Sequence, residues 1–256
     1  MKKIYLLVSS LLCFSLIAVG QEINMQEIAP LEQIYGDVQE SENLLPMNDL
    51  GIEFGYVLYE AEIVTESDDV VLEVENVRDY AAIYIDDNLQ GTMTDNRKKV
   101  TLNVSLGTHK LRLYVENIGR ITYGPEILDN SKGLFGSISL DGEEIEGWKI
   151  IPLNVKDCDI NSLSFTKGKT SDIPCFHKGY FDIGTPESTY LDISGWGMGE
   201  VWINGQYMGS YWEEEKQQSI QIPAENLLTG NNEIVVFELK NNQQKSMRLS
   251  DKPLFK

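Results

Sequence analysis

Histidine and cysteine are both scarce in this chain of 256 residues. There are two histidines, His109 and His177, and three cysteines, of which Cys13 sits in an apolar N-terminal run. None shows the spacing of a zinc site, so no metal centre is expected from them. With so few histidines no Ser-His-Asp set can be assembled either, and no catalytic constellation stands out. Basic residues are few as well, 21 against 40 acidic ones, for a formal charge of -19. That balance argues against nucleic acid and anionic membranes, whose phosphates are held by Lys and Arg. No stretch beyond the N-terminus approaches the ~20 apolar residues of a membrane span. No segment of ten or more residues has helical spacing, which leaves strands.

The chain opens Met1-Lys2-Lys3, runs apolar from Ile4 to Val19, and then reads Gly20-Gln21. A basic start, an apolar stretch too short to span and small residues at a cleavage point are the signature of a secretory leader over 1–20. Leu11-Leu12 before Cys13 lacks the small residues of a lipidation site. The expected product is exported, to the periplasm, the cell surface or the medium. Losing Lys2 and Lys3 takes its charge from -19 to -21. In that oxidising setting Cys158 and Cys175 either form a bridge or stay as buried free thiols. A bridge would close a loop of about 17 residues and contribute roughly 3 kcal/mol.

Residues 21–50 are polar and acidic, with Pro30, Pro46 and no sustained period, and are expected to be a linker or an extended strap. From Phe54 onward short strands follow one another, as in Val70 to Val74, Tyr80 to Ile85, Val100 to Val104 and Leu111 to Val115. Ile83-Tyr84-Ile85-Asp86-Asp87-Asn88-Leu89-Gln90-Gly91 matches Val201-Trp202-Ile203-Asn204-Gly205-Gln206-Tyr207-Met208-Gly209 without a gap. In each copy a strand, a Gly turn and another strand follow. The expected fold is therefore all-β, two tandem jelly-roll-like β-sandwiches of about 100 residues each. The first should cover 51–153 and the second 154–245, with a C-terminal tail at 246–256. The second copy is shorter at its start, which suggests that it borrows a strand or leans on the first.

The richest segment is Gly195 to Trp212, where Trp196, Trp202, Trp212, Tyr207 and Tyr211 crowd together and Asn204-Gly205 marks a hairpin turn. Val201 and Ile203 share one face and Trp202 takes the other. Trp196, between glycines, and Trp212, after the second strand, read as surface residues, and exposed rings of that size normally meet something. A loop further back carries Arg120 and Tyr123 between Gly119 and Gly124. Arg120 is suited to hydrogen-bonding hydroxyls and Tyr123 to stacking on a ring. The alternative pairs Arg120 with Glu116 or Asp129 and places Tyr123 in a domain interface. Asp86-Asp87-Asn88 with Asp95 has the oxygens for calcium, but reads more simply as a turn. Glu213-Glu214-Glu215 reads as a solvated loop, because so acidic a chain makes carboxylate pairs inevitable.

Several runs together resemble a known family. Asp79-Tyr80-Ala81, Val115 to Gly124, Lys132-Gly133-Leu134-Phe135-Gly136, Leu191 to Gly197 and Val201 to Trp212 resemble the C-terminal β-domains of family 35 glycoside hydrolases, the β-galactosidases. The resemblance covers about residues 45 to 240 and implies a galactose-binding-domain-like fold. In that family an N-terminal (β/α)8 barrel carries the acid/base and nucleophile glutamates. No counterpart of the barrel precedes Phe54 here, so neither glutamate can be carried over, and Asn232-Glu233 is only a superficial match. The resemblance therefore implies a non-catalytic accessory protein without a cofactor. It would bind carbohydrate (galactosides or galactose-containing glycans) or dock on a glycosidase barrel protein through Arg120, Tyr123, Trp196, Tyr211 and Trp212. The alternative is one half of a split β-galactosidase, active only with a separately encoded barrel. A folded gene remnant is the third reading.

Overall fold

The computed structural model describes residues 20–168 and 170–256. The leader expected over 1–20 therefore lies outside the described residues, apart from Gly20. Nineteen strands and four short 3-10 turns form among those residues, and there is no α-helix. In chain order the first eleven strands are β1 (Glu22–Pro30), β2 (Gln39–Ser41), β3 (Gly55–Thr65), β4 (Asp69–Arg78), β5 (Tyr80–Ile85), β6 (Asn88–Thr94), β7 (Lys99–Asn103), β8 (Gly107–Asn117), β9 (Gly133–Leu140), β10 (Glu143–Glu144) and β11 (Trp148–Leu153). They are followed by β12 (Thr166–Lys167), β13 (Cys175–Ile183), β14 (Thr189–Asp192), β15 (Met198–Ile203), β16 (Gln206–Trp212), β17 (Ser219–Ile222), β18 (Gly230–Glu238) and β19 (Ser246–Ser250).

The first sandwich packs a six-stranded sheet, β2-β11-β3-β8-β5-β6, on a four-stranded one, β10-β9-β4-β7. Alternation decides which side chains meet between them. Val57, Tyr59 and Ile63 of β3 face Leu72 and Val74 of β4 in a dry core. The second sandwich is built from one nine-stranded sheet, β16-β15-β18-β13-β1-β19-β14-β17, with β12 beside β1. Its two halves close over Ile23, Phe181, Leu191, Val201, Ile203 and Val236.

A third core joins the two bodies. The outer face of the six-stranded sheet presents Tyr56, Tyr80, Tyr84 and Tyr114, which pack on Phe176, Trp202 and Phe237 of the second sandwich. Tyr56 meets Phe237 edge-on at 5.1 Å, and Tyr84 meets Tyr114 at 5.4 Å, the geometry favoured by ring quadrupoles. Consequently β5 and β15 are buried at every position. Trp202 and its neighbours Val201 and Ile203 all face cores, though different ones.

Two expectations need correction here. Residues 21–50 are not a linker: β1 is an interior strand, paired with β13 through Met25 to Pro30 and with β19 through Glu22 to Asn24. The isolated apolar residues that follow are anchors, with Leu31, Ile34, Leu44 and Met47 all buried, and β2 extends the six-stranded sheet beside β11. Residues 246–250 are not a tail either, since β19 places Met247 and Leu249 in the second core. A strand flanked on both sides needs only short alternation to hold its register, and a five- to nine-residue pattern set among polar residues gives little sequence signal.

The internal repeat is exact at the level of backbone geometry. Hairpins β5–β6 and β15–β16 turn through Asp86-Asp87 (φ 47 and 71) and Asn204-Gly205 (φ 50 and 77), the left-handed pair that a tight hairpin requires. Both carry a bulge at the same place, between Ile83 and Tyr84 and between Val201 and Trp202.

Candidate functional site

A cleft of about 730 Å³ opens where the two sandwiches meet. Its first wall is the end of β8, with Glu116 and Ile118; the second comes from β15 to β17 and the turn between them, with Met198, Met208, Trp212, Gln217 and Gln221 among others. That volume lies within the range of small-ligand sites, and the mix of apolar walls with a few polar groups is typical of them.

The structure brings Tyr211 and Trp212 to this cleft and treats the other expected residues differently. Trp212 is half-buried and leans on Tyr80 edge-on at 6.2 Å, while its indole Nε1 has no hydrogen-bond partner. Tyr211 is buried and donates to Glu238 Oε2 at 2.8 Å. Arg120 and Tyr123 lie on the loop that leaves the cleft edge at Ile118 and do not line it. Tyr123 is 91% exposed, so it does not fill a domain interface. Neither partner expected for Arg120 is used, since Glu116 lies against Tyr56 and Asp129 pairs with Arg78. The base of that loop is pinned by Lys132, whose Nζ donates to both Asp79 oxygens at 2.7 and 2.8 Å, and by Ile118 N donating to Asp79 Oδ2.

Trp196 is a correction: it is 1% exposed and belongs to the core of the second sandwich. Its Nε1 donates to Ser246 O at 3.0 Å, and its ring meets His177 edge-on. Close backbone approach at Gly197 and Gly199 accounts for the burial. A Cβ on Gly199 would lie 1.8 Å from Phe237 O, and one on Gly197 would lie 2.9 Å from Lys240 Cβ. The glycines let the chain press against β18 and carry the indole inward, where a surface loop was expected.

Of the two alternatives for Cys158 and Cys175 the structure has the free thiols, Cys175 buried and Cys158 half-buried. Cys158 Sγ donates to Val155 O in its own turn, and Cys175 Sγ lies 3.4 Å from His177 Nε2 at the start of β13. Cys175, His177 and Asn242 form a buried cluster of types used in nucleophilic catalysis, yet burial pushes the thiol up to about 12 and the imidazole down to about 4. Both shifts oppose the thiolate–imidazolium pair that such chemistry needs. In the turn suggested for calcium, Asp86 accepts from Lys110 N at 2.9 Å and contacts His109, and Asp87 pairs with Arg112, so cationic and N–H donors occupy these carboxylates.

Sequence reasoning missed the polar network behind the cleft. Glu200 of β15 is fully buried, and Lys156 Nζ approaches its Oε1 at 2.9 Å while Tyr207 OH donates to its Oε2 at 2.7 Å. The Tyr56 hydroxyl lies 2.7 Å from Glu200 Oε1 and 2.9 Å from Glu116 Oε1. Glu116 is 4% exposed and its Oε2 has no partner. Burial, above all, pushes its carboxyl up to about 7, with the nearby Glu200 charge adding to the effect. The signal in the sequence was a lone glutamate inside each of two apolar strand runs, Leu113 to Asn117 and Met198 to Ile203.

These features define a pair of β-sandwiches with a cleft between them. Residues 45–154 match the family model described as the first all-beta domain of beta-galactosidase, and residues 174–232 match the galactose-binding domain of beta-galactosidase. The chain belongs to the β-galactosidase family, of which it carries non-catalytic β-domains. It is 36% identical over 179 residues to a beta-galactosidase of Xanthomonas manihotis, covering 69% of this chain and 29% of that one. It is 32% identical over 202 residues to beta-galactosidase-1-like protein 2 of Homo sapiens, covering 77% of this chain and 31% of that one. The chain thus spans about 30% of the length of the curated relatives it matches. Among solved structures, a Pleurotus ostreatus lectin aligns with 90% of this chain and 79% of its own at 13% identity and a TM-score of 0.29, a likeness that carries no argument here.

Proposed function

We propose that this chain is an exported, non-catalytic accessory protein of the family 35 β-galactosidase kind that binds carbohydrate in the cleft between its two sandwiches. The observation that carries this reading is a half-apolar cleft whose wall from Ile193 to Pro223 falls inside the galactose-binding match, with an indole N–H and a carboxyl oxygen both lacking partners. A sugar offers both acceptors and donors on a ring with an apolar face, which suits such a wall. Titration calorimetry with methyl β-D-galactopyranoside and with a galactan tests it. Binding is expected, weakened at least tenfold in Trp212→Ala, which removes both the donor and the stacking surface. Flat heats for every galactoside would sink the reading.

A second reading is favoured by one observation: Ile118, Tyr123 and Leu128 are exposed on a single loop segment, 59%, 91% and 96% respectively. Such residues suit a protein partner, and a separately encoded glycosidase barrel is the partner this reading names. The chain would then restore galactosidase activity when mixed with that barrel and co-purify with it. A Tyr123→Asp variant should lose the association, and failure of the unmodified chain to associate would remove the reading.

A further inference from the structure

The Tyr56 hydroxyl has one proton and two carboxyl oxygens within hydrogen-bond distance. Given to the nearer, Glu200 Oε1, that proton leaves the 2.9 Å contact to Glu116 Oε1 without one. The contact closes only if Glu116 is itself protonated on Oε1 and donates to Tyr56. Glu200 already has Lys156, Tyr56 and Tyr207 as donors to its two oxygens. Glu116 is a residue of the cleft wall, and its Oε2 then stays an unpartnered acceptor buried just behind that wall, within reach of a ligand only if the side chain turns toward the cleft. Such an orphaned oxygen is costly unless something completes it.

We propose that Glu116 Oε2 is the acceptor for a hydroxyl of the bound carbohydrate, and that binding expels the Glu116 proton to solvent, making this a proton-linked site. The proposal rests on the carbohydrate-binding reading of the same cleft and adds its regulation. A hydroxyl donating to Oε2 stabilises the carboxylate over the acid, so the ligand lowers the affinity of Glu116 for its proton. The charged groups facing Glu116 fix the direction of the effect. Glu200 and Asp79 oppose its ionisation, whereas the Tyr56 hydroxyl beside Oε1 and the Lys156 charge favour it; Tyr56 and Tyr207 themselves stay neutral in the physiological range because burial raises both phenols. Asp79 is itself paired with Lys132, and Glu215 stands across the cleft. The free site begins at about 7, so the sign follows: affinity rises with pH up to about 7 and levels off above it.

The test is calorimetry of methyl β-D-galactopyranoside binding to the unmodified chain at about pH 6.5, in phosphate and then in imidazole, two buffers with different ionisation heats. Proton release is expected as a difference in observed heat between the buffers. A one-unit fall in the Glu116 pKa makes binding about sixfold tighter at about pH 7.5 than at about pH 5.5. Glu116→Gln mimics the protonated acid, its amide donating to Tyr56 and its oxygen facing the cleft, so it should bind at the weaker low-pH affinity throughout with no buffer dependence. Binding with buffer-independent heat, or an unchanged pH profile in Glu116→Gln, overturns this inference and leaves carbohydrate binding standing. Absence of any heat overturns both. If Glu116→Gln does not fold, the buffer comparison on the unmodified chain still decides the matter.

Discussion

A chain beginning at Leu31 is expected to lose the cooperative fold of its second sandwich, although residues 154–256 are untouched. β1 lies between β13 and β19 and hydrogen-bonds to both, so its removal leaves two interior strand edges open along a nine-stranded sheet. It also removes Ile23 and Met25 from the second core and Ala29 from the core between the bodies. Unpaired interior edges are aggregation templates, so the truncated chain should appear in the insoluble fraction. Circular dichroism and thermal unfolding of any soluble remainder would measure the effect. A truncated chain that unfolds in one transition at the parent temperature would refute this placement of the strand. A milder variant, Met25→Asp, should shift the same transition down by burying an unpaired charge.

The second large effect is expected at Trp196. Trp196→Ala should destabilise the chain by about 3–5 kcal/mol, the range for emptying a buried indole site. The indole fills the second core, meets the His177 ring at 5.3 Å and ties β15 to β19 through its bond to Ser246 O. Urea unfolding would read this as a lower midpoint at unchanged slope. The contrast with Trp212 is the informative part. Trp212→Ala should change stability far less and ligand binding far more, because its ring is half-buried on the cleft. Equal losses of stability in the two variants would argue against the placement of the two indoles.

Much of this molecule was readable from its residues, and the exceptions share a cause. The strands from Val70 to Val115, the Asn204-Gly205 turn and the duplicated hairpin all follow from local alternation and turn chemistry, which nearby residues determine. Even the suggestion that the second copy borrows a strand fits the position of β1. What could not be read depends on contacts distant in sequence. β1 meets β19 more than 200 residues later, and its Ile23-Asn24-Met25 alternation is too short to stand out beside Pro30. Trp196 looked exposed because glycines surround it, whereas those glycines allow the close approach to β18 that buries it. Trp212 was expected at the surface after the second hairpin strand and is half-buried on the cleft, whereas Tyr211 beside it is buried. Glu116 and Glu200 were not linked, since their meeting through Tyr56 brings together three strands from two sandwiches.

The aromatic layer between the bodies has a consequence for how the cleft works. Tyr56, Tyr84, Trp202 and Phe237 share one buried core, so any movement of one sandwich against the other would have to break packed aromatic contacts. A cleft with one wall from each half would ordinarily close around its guest like a jaw, and part of the binding energy would go into that motion. On the carbohydrate-binding reading proposed above, that packing would hold the opening largely preset, and selectivity would come from shape and from the pattern of donors and acceptors on standing walls. A guest would then have to fit the gap it finds.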